Sequence, residues 1–271
     1  MNRNFQHPTT LTELYNDRRF LLTAHRGASF EYPENTGIAM QKAIEAGADF
    51  IEFDLRSTAD HVPVLLHDTT IDRTSDGKGR PENFLMNELR QLNFSYFVHF
   101  ERLEKPLYEH LPIPTFEEIL QEFQGCVCMN IQINIEDDIA MAEACRLFSR
   151  YSMYDFAYLT VSPDRIGFIR SIDSKIELCI TPGWLERTHP ENLDLCAASG
   201  CRFVQPVAKV CDRDTFAAIR ERKLRGNVFL ADDQESASAL TLLGAEGVFT
   251  NKIELLSPLR NSGKLTIVNL D

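Results

Sequence analysis

Long apolar runs are what this 271-residue chain most plainly lacks. Nothing in it approaches the roughly 20 apolar residues of a membrane span. The opening "MNRNFQHPTTLTELYNDRRF" also lacks the apolar core, about 7–15 residues long, of a secretory signal. No targeting segment and no stable membrane insertion are therefore expected. Positive charge is short too: 28 Lys and Arg stand against 40 Asp and Glu, a net charge of −12. That argues against nucleic acid or an anionic membrane surface as the main partner, but leaves room for a small phosphate-bearing molecule met by local cations. The 7 cysteines are odd in number and contain no C-x-x-C pair. Zinc is not expected; reduced, buried thiols in a cytoplasmic protein are. No G-x-G-x-x-G opens a helix, which weighs against a dinucleotide-binding open sheet. No Pro-, Ser- or Gly-rich linker divides the chain.

What is present is an alternation of short β-like runs with amphipathic helical runs. "FLLTAH" (20–25) precedes "ENTGIAMQKAIEAGA", where Ile38, Met40, Ala43, Ile44 and Ala46 form a helical stripe closed by Gly47. "DFIEFDL" follows, and "VPVLLHD" returns after a turn at Asp60–His61 as an extra hairpin arm. Residues 69–112, rich in turns and aromatics, break the pattern and read as an insertion. Beyond them "VCMNIQINI", "FAYLTVS", "KIELCI", "RFVQPV", "NVFLAD" and "EGVFTN" read as strands separated by helices. About eight β/α units in one domain predict an α/β TIM (β/α)8 barrel with a small insertion after the second strand. An open doubly wound sheet is the alternative.

Strand phase then places the polar residues. Side chains alternate, so Ile51, Phe53 and Leu55 face the helices, and Glu52 and Asp54 face the barrel axis. The same test turns Met129, Ile131, Ile133 and Ile135 outward, and Asn130, Gln132 and Asn134 inward. His25 ends the first strand and His67 ends "VPVLLH". Two carboxylates and two imidazoles thus meet at one rim, although a lone strand-end His or a solvated acidic face is commoner in isolation. Two like charges in a confined site require a cation or a proton between them. Short carboxylates suit a hard divalent cation, Mg²⁺ or Ca²⁺.

The stretch "AHRGASFEYPENTGIAMQKAIEAGADFIEFDLRSTADHVPVLLHDTTIDRTSDGKG" closely resembles the N-terminal signature of the glycerophosphodiester phosphodiesterases: H-R-G, P-E-N-T, G-A-D-x-I-E-x-D, H-D and R-T-x-G-x-G. "PIPTFEEIL" resembles the family's I-P-T-L-E-E helix start, and "GAEGVFTN" its terminal strand. The resemblance implies metal-dependent hydrolysis of a glycerophosphodiester to an alcohol and glycerol 3-phosphate. By position it makes His25 and His67 the acid–base pair and Glu52 and Asp54 metal ligands. Arg26 becomes a phosphate contact, and Glu34 a loop residue beside the site.

The chain departs from that family where a third strand of the form N-I-E-I-K is expected. Here it is "NIQIN": Gln132 replaces the third acidic ligand, and Asn134 replaces a phosphate-side Lys. One negative and one positive charge are lost together, so the balance is roughly kept. Losing one such charged contact costs about 1.5–3 kcal/mol, so weaker metal binding is expected. Glu136 or Asp137 are candidate replacement acids, and Lys175 or Lys209 candidate replacement cations. Trp184, in "TPGWLER", is a candidate wall of the substrate pocket. Three readings stay open: an active hydrolase, an enzyme shifted to a lysophospholipid or sugar phosphodiester, and a catalytically weakened phosphodiester-binding protein. Self-association is left open as well.

Overall fold

The computed structural model describes residues 9–17, 19–181, 183 and 186–268. Eight parallel strands form a nearly closed barrel: β1 (Leu21–Ala24), β2 (Phe50–Ser57), β6 (Cys128–Ile133), β7 (Ala157–Val161), β8 (Leu178–Ile180), β9 (Phe203–Val204), β10 (Arg225–Gly226) and β11 (Gly247–Thr250). Its hydrogen-bonded order is β10-β9-β8-β7-β6-β2-β1-β11, and a bridge between Val228 and Val248 brings the ends together. β3 (Pro63–Leu65) pairs antiparallel with β2 as an arm outside the barrel path. Within 69–112, β4 (Phe97–Val98) and β5 (Glu101–Arg102) make a separate hairpin.

The helices are α1 (Leu11–Asn16), α2 (Gly37–Glu45), α3 (Met86–Leu89), α4 (Phe116–Phe123) and α5 (Asp138–Arg150), followed by α6 (Ile166–Ile172), α7 (Pro190–Ala198), α8 (Arg213–Glu221), α9 (Gln234–Leu243) and α10 (Ile253–Asn261). α4 shows why they form. Thr115 and Glu118 close a capping box at its start, and Phe116, Ile119, Leu120 and Phe123 give it one buried stripe. That stripe meets the outward residues of the sheet: Ile51, Phe53, Leu55, Met129, Ile131 and Ile133 all lie in the large core between strands and helices. Fully burying one such side chain contributes roughly 1.5–3 kcal/mol.

The inward residues form a second core at the lower end. Phe50, Cys128, Tyr158, Cys179 and Phe203 pack there with Leu11 and Leu14 of α1, which plugs the barrel. The rings of Tyr158 and Phe203 stack, with centroids 4.4 Å apart. Among the described residues this packing fills the lower end of the barrel, opposite the rim where the strands end.

The far wall is less regular than the run "RFVQPV" to "NVFLAD" predicts. Regular pairing stops at Val204 and Gly226, and continues only as single bridges at Val207–Phe229 and Val228–Val248. Pro206 has no N–H to donate, so the ladder is interrupted there.

Candidate active site

Three backbone choices shape the rim. Gly27 of "HRG" has φ +81°, and a Cβ there would lie 2.6 Å from the Ala39 carbonyl carbon, so only glycine lets α2 approach. Arg26 and Asn35, neither of them glycine, are also left-handed, with φ of 58° and 56°. Such conformations cost on the order of 1–3 kcal/mol each and concentrate where geometry serves function. Both residues aim at the inward carboxylates. The Arg26 backbone N–H donates to Glu52 Oε2 at 2.9 Å, and Asn35 Nδ2 donates to Asp54 Oδ2 at 3.1 Å.

Glu52 and Asp54 are each only 3% exposed. They sit level with Asn130 and Gln132 of the neighbouring strand, as the parallel register requires. Burial, reinforced by Asp54 alongside, pushes the Glu52 carboxyl well above the usual carboxylate range. Arg26 is the permanent cation nearest the pair. Its Nε lies 3.3 Å from Asp54 Oδ2, though not aligned as a hydrogen bond, and its Nη1 donates to Glu34 Oε1 at 3.0 Å. Asn134 Nδ2 donates to Asp54 Oδ1 at 3.1 Å. The residue standing at the family's Lys position therefore bonds a carboxylate of the site, as a neutral donor.

The two imidazoles are held differently. His25 follows β1, and its Nδ1 lies 2.8 Å from Asn251 Oδ1. Asn251 Nδ2 donates to Asp232 Oδ2 at 2.8 Å, which fixes the amide orientation because a carboxylate only accepts. Asn251 thus offers its oxygen, His25 Nδ1 carries the proton, and Nε2 keeps a lone pair, 4.0 Å from Glu52 Oε2. Burial, followed by the Arg26 charge, pulls His25 down to about 4, so the ring is neutral at neutral pH. His67 is half-exposed. Leu66 N donates to the Asp54 carbonyl at 3.0 Å, which brings His67 to the same rim. Its Nδ1 lies 2.7 Å from Asp68 Oδ1.

Asp68, Arg73, Asn35 and Asn251 stand inside the sequence motifs, but the motifs assign them no role. Arg73 ties the site together: Nη1 and Nη2 donate to Glu34 Oε2 and Oε1, and Nε donates to Asp68 Oδ2. Burial opposes ionisation of Glu34, but Arg73 and Arg26 together hold it below its ordinary range. Of the candidate replacements, Glu136 is exposed and pairs with Arg80, while Asp137 caps α5 and contacts His61. Neither joins Glu52. Lys175 is exposed in the segment entering β8, at the opposite end from the rim, and Lys209 is exposed on the rim side after β9. Trp184 lies outside the described residues.

Among the described residues no three His, Cys, Asp or Glu side chains gather as a metal-holding group. The third position of this rim is the amide Gln132, in register with Asp54 and without a side-chain hydrogen bond among the described residues. Glu52 Oε1 likewise receives no donor from them. Two carboxylates short of positive charge and an unpartnered amide make an all-oxygen donor set. That set fits one hard divalent cation, with one negative charge fewer than three carboxylates would supply.

The sequence profile of the glycerophosphoryl diester phosphodiesterase family matches residues 25–255. Glycerophosphodiester phosphodiesterase 1 of Rattus norvegicus is 35% identical over 164 residues, 58% of this chain. That match spans 47% of the rat protein, so this chain accounts for about half the length of that relative. The uncharacterized protein YqiK of Bacillus subtilis is 36% identical over 244 residues, covering 87% of this chain and 96% of the relative. Among solved structures, a phosphodiesterase of Oleispira antarctica in complex with the product sn-glycerol-3-phosphate superposes with a TM-score of 0.76. It covers 92% of this chain and 99% of the other at 20% identity, a likeness of fold. A glycerophosphodiester phosphodiesterase of Agrobacterium tumefaciens gives a TM-score of 0.74 at 22% identity, covering 88% and 99%. With barrel, rim and sequence profile in agreement across most of its length, the chain belongs to the glycerophosphoryl diester phosphodiesterase family.

Proposed function

We propose that this chain hydrolyses a glycerophosphodiester to glycerol 3-phosphate and an alcohol, with His25 as general base and His67 as general acid. The observation that carries the reading is the arrangement of the two imidazoles around one buried acidic pair. His25 turns a bare Nε2 toward Glu52, and His67 follows Leu66, whose N–H donates to the Asp54 carbonyl, with Asp68 at its Nδ1.

The glycerol hydroxyl next to the phosphodiester attacks phosphorus, and His25 Nε2 accepts its proton. The bond from phosphorus to the alcohol oxygen breaks, and His67 delivers a proton to that oxygen. Asp68 orients the imidazole and stabilises charge on it. In the second stage the protons move in reverse: His67 takes one from water as it opens the cyclic phosphate, and His25 returns one to the glycerol oxygen. Arg26 faces the developing phosphoryl charge, while Glu34 keeps its guanidinium in place. Glu52, Asp54 and Gln132 are the residues that would hold Mg²⁺ or Ca²⁺. The cation, when bound, polarises the phosphoryl oxygen and acidifies the hydroxyl.

The test is release of glycerol 3-phosphate from a panel of glycerophosphodiesters, with and without EDTA, by the protein and by its His25→Ala and His67→Ala variants. Turnover abolished by chelation and by either substitution is expected. Turnover that survives EDTA overturns the metal role, and no release from any diester overturns the activity.

A further inference from the structure

We infer that Arg56 is a positioning residue for His67: it ties the main chain of that histidine to β2, and proton delivery to the departing alcohol depends on the tie. This rests on the hydrolase reading above and adds a residue that acts through His67. Arg56 lies two residues beyond Asp54 on β2, so its side chain leaves from the same inward face. Asn134 N donates to the Leu55 carbonyl at 2.9 Å, so the strand is still paired on one flank at this level. On the other flank Arg56 is in register with Val64 of β3. The residue is therefore based on firm structure, and it is only 7% exposed.

Its guanidinium reaches two places. Nε donates to the His67 carbonyl at 3.1 Å. Nη1 lies 3.8 Å from Glu82 Oε1, an ion pair longer than a hydrogen bond. Glu82 belongs to the short 3-10 turn Pro81–Asn83 of the insertion and accepts from Arg80 Nε at 3.2 Å.

His67 stands past the end of β3, and its side chain is 42% exposed. A ring so open has few neighbours to fix it, and polar ties must do so. Its Nδ1 lies 2.7 Å from Asp68, but Asp68 is the next residue, so this pair moves with the loop that carries both. Two arginines hold that loop from different directions. Arg73 takes the Asp68 carboxylate from within the insertion, and Arg56 takes the His67 carbonyl from β2. With both ends fixed, Nε2 is aimed one way.

In the first stage the glycerol oxygen bonds to phosphorus, the bond to the alcohol oxygen breaks, and that oxygen takes a proton from His67. An aliphatic alkoxide needs the proton to leave, whereas a nitrophenolate leaves without it. A displacement of about 1 Å in a reacting group can cost on the order of 10²-fold. Loss of Arg56 should therefore be felt where the proton is needed and spared where it is not. A residue that merely supports the fold would slow both reactions alike.

The experiment measures single-turnover release of the alcohol, which isolates the first stage from opening of the cyclic phosphate. The substrates are glycerophosphoethanolamine and the p-nitrophenyl diester of glycerol 3-phosphate; the proteins are the intact chain, Arg56→Gln, Arg56→Lys and His67→Ala, with melting temperatures checking folding. Arg56→Gln should slow the ethanolamine diester by about tenfold or more and the nitrophenyl diester by less than about threefold. Arg56→Lys keeps the charge but not the fork and should fall between. Equal losses on the two diesters in a folded Arg56 variant, or no loss on either, overturn the inference. Should Arg56→Gln not fold, Arg56→Lys decides by the same comparison. A His67→Ala variant that slows both diesters alike, or no release from any glycerophosphodiester by the intact protein, overturns instead the hydrolase reading beneath it.

Discussion

Arg73 and Glu34 meet through two parallel hydrogen bonds, 2.8 Å from Nη1 to Oε2 and 2.7 Å from Nη2 to Oε1. The same guanidinium reaches Asp68 with Nε at 2.6 Å. One side chain thus sets both the residue that steadies Arg26 and the residue that steadies His67. Planar bidentate pairing of this kind is specific to arginine.

Acid stability should depend on that fork. Glu34 and Asp68 are both held below their ordinary range. A carboxylate with a depressed folded value contributes stability that is present above its unfolded value, near 4, and is lost as pH falls through the folded value. Arg73→Gln leaves Glu34, 8% exposed, with Arg26 alone. We expect a loss of about 3–5 kcal/mol at neutral pH and an acid unfolding transition displaced upward. Thermal unfolding across roughly pH 3–8 reads both. An unchanged acid limb would show that the fork is not what keeps these carboxylates ionised.

Asp68 Oδ1 lies 2.7 Å from His67 Nδ1, so any effect of Asp68 on turnover should run through His67. Asp68→Asn should lower kcat by on the order of 10²-fold with little change in KM, the scale of a lost acid–base contribution. The double variant with His67→Ala should be no slower than His67→Ala alone. Additive losses would assign Asp68 a role independent of the imidazole.

Residue 132 tests the cation directly. Gln132→Glu restores a carboxylate in register with Asp54. Calorimetric titration with Mg²⁺ and Ca²⁺ should show affinity raised by about one to two decades. Equal affinities would remove residue 132 from the ligand set.

At the floor of the barrel, Asp49 tests stability apart from chemistry. Its carboxylate accepts from Leu22 N at 2.8 Å and from Arg260, and forms an ion pair with Arg19. Asp49→Ala leaves the largely buried Arg260 without this partner, and should cost about 3–5 kcal/mol in denaturant titration. Asp49→Asn should cost less, because its amide oxygen still accepts from Leu22. Equal losses would mean that charge contributes nothing there.

The acidic wall is readable in the sequence because β2 and β6 alternate cleanly, which assigns Glu52 and Gln132 a face. Other parts were hidden for separate physical reasons. α1 is only 6 residues long and buries just Leu11 and Leu14, too little periodicity to register, although its Thr10–Glu13 capping box was a usable signal. The far-wall strands read longer than they are because hydrophobic pattern ignores the missing donor of Pro206. The partners of Arg73 were invisible because Glu34 lies 39 positions away, and a motif names residues without saying which of them bond.

That interrupted far wall has a dynamic consequence. β2 and β6 pair at six successive positions, whereas β8 and β9 share one and β9 and β10 share two. Local opening is cheapest where ladder bonds are fewest. Breathing of this barrel is therefore lopsided, with excursions concentrated around Pro206 while the strands bearing the carboxylates stay shut. Amide exchange can proceed on one side of the cylinder without any loss of alignment between Glu52, Asp54 and Gln132.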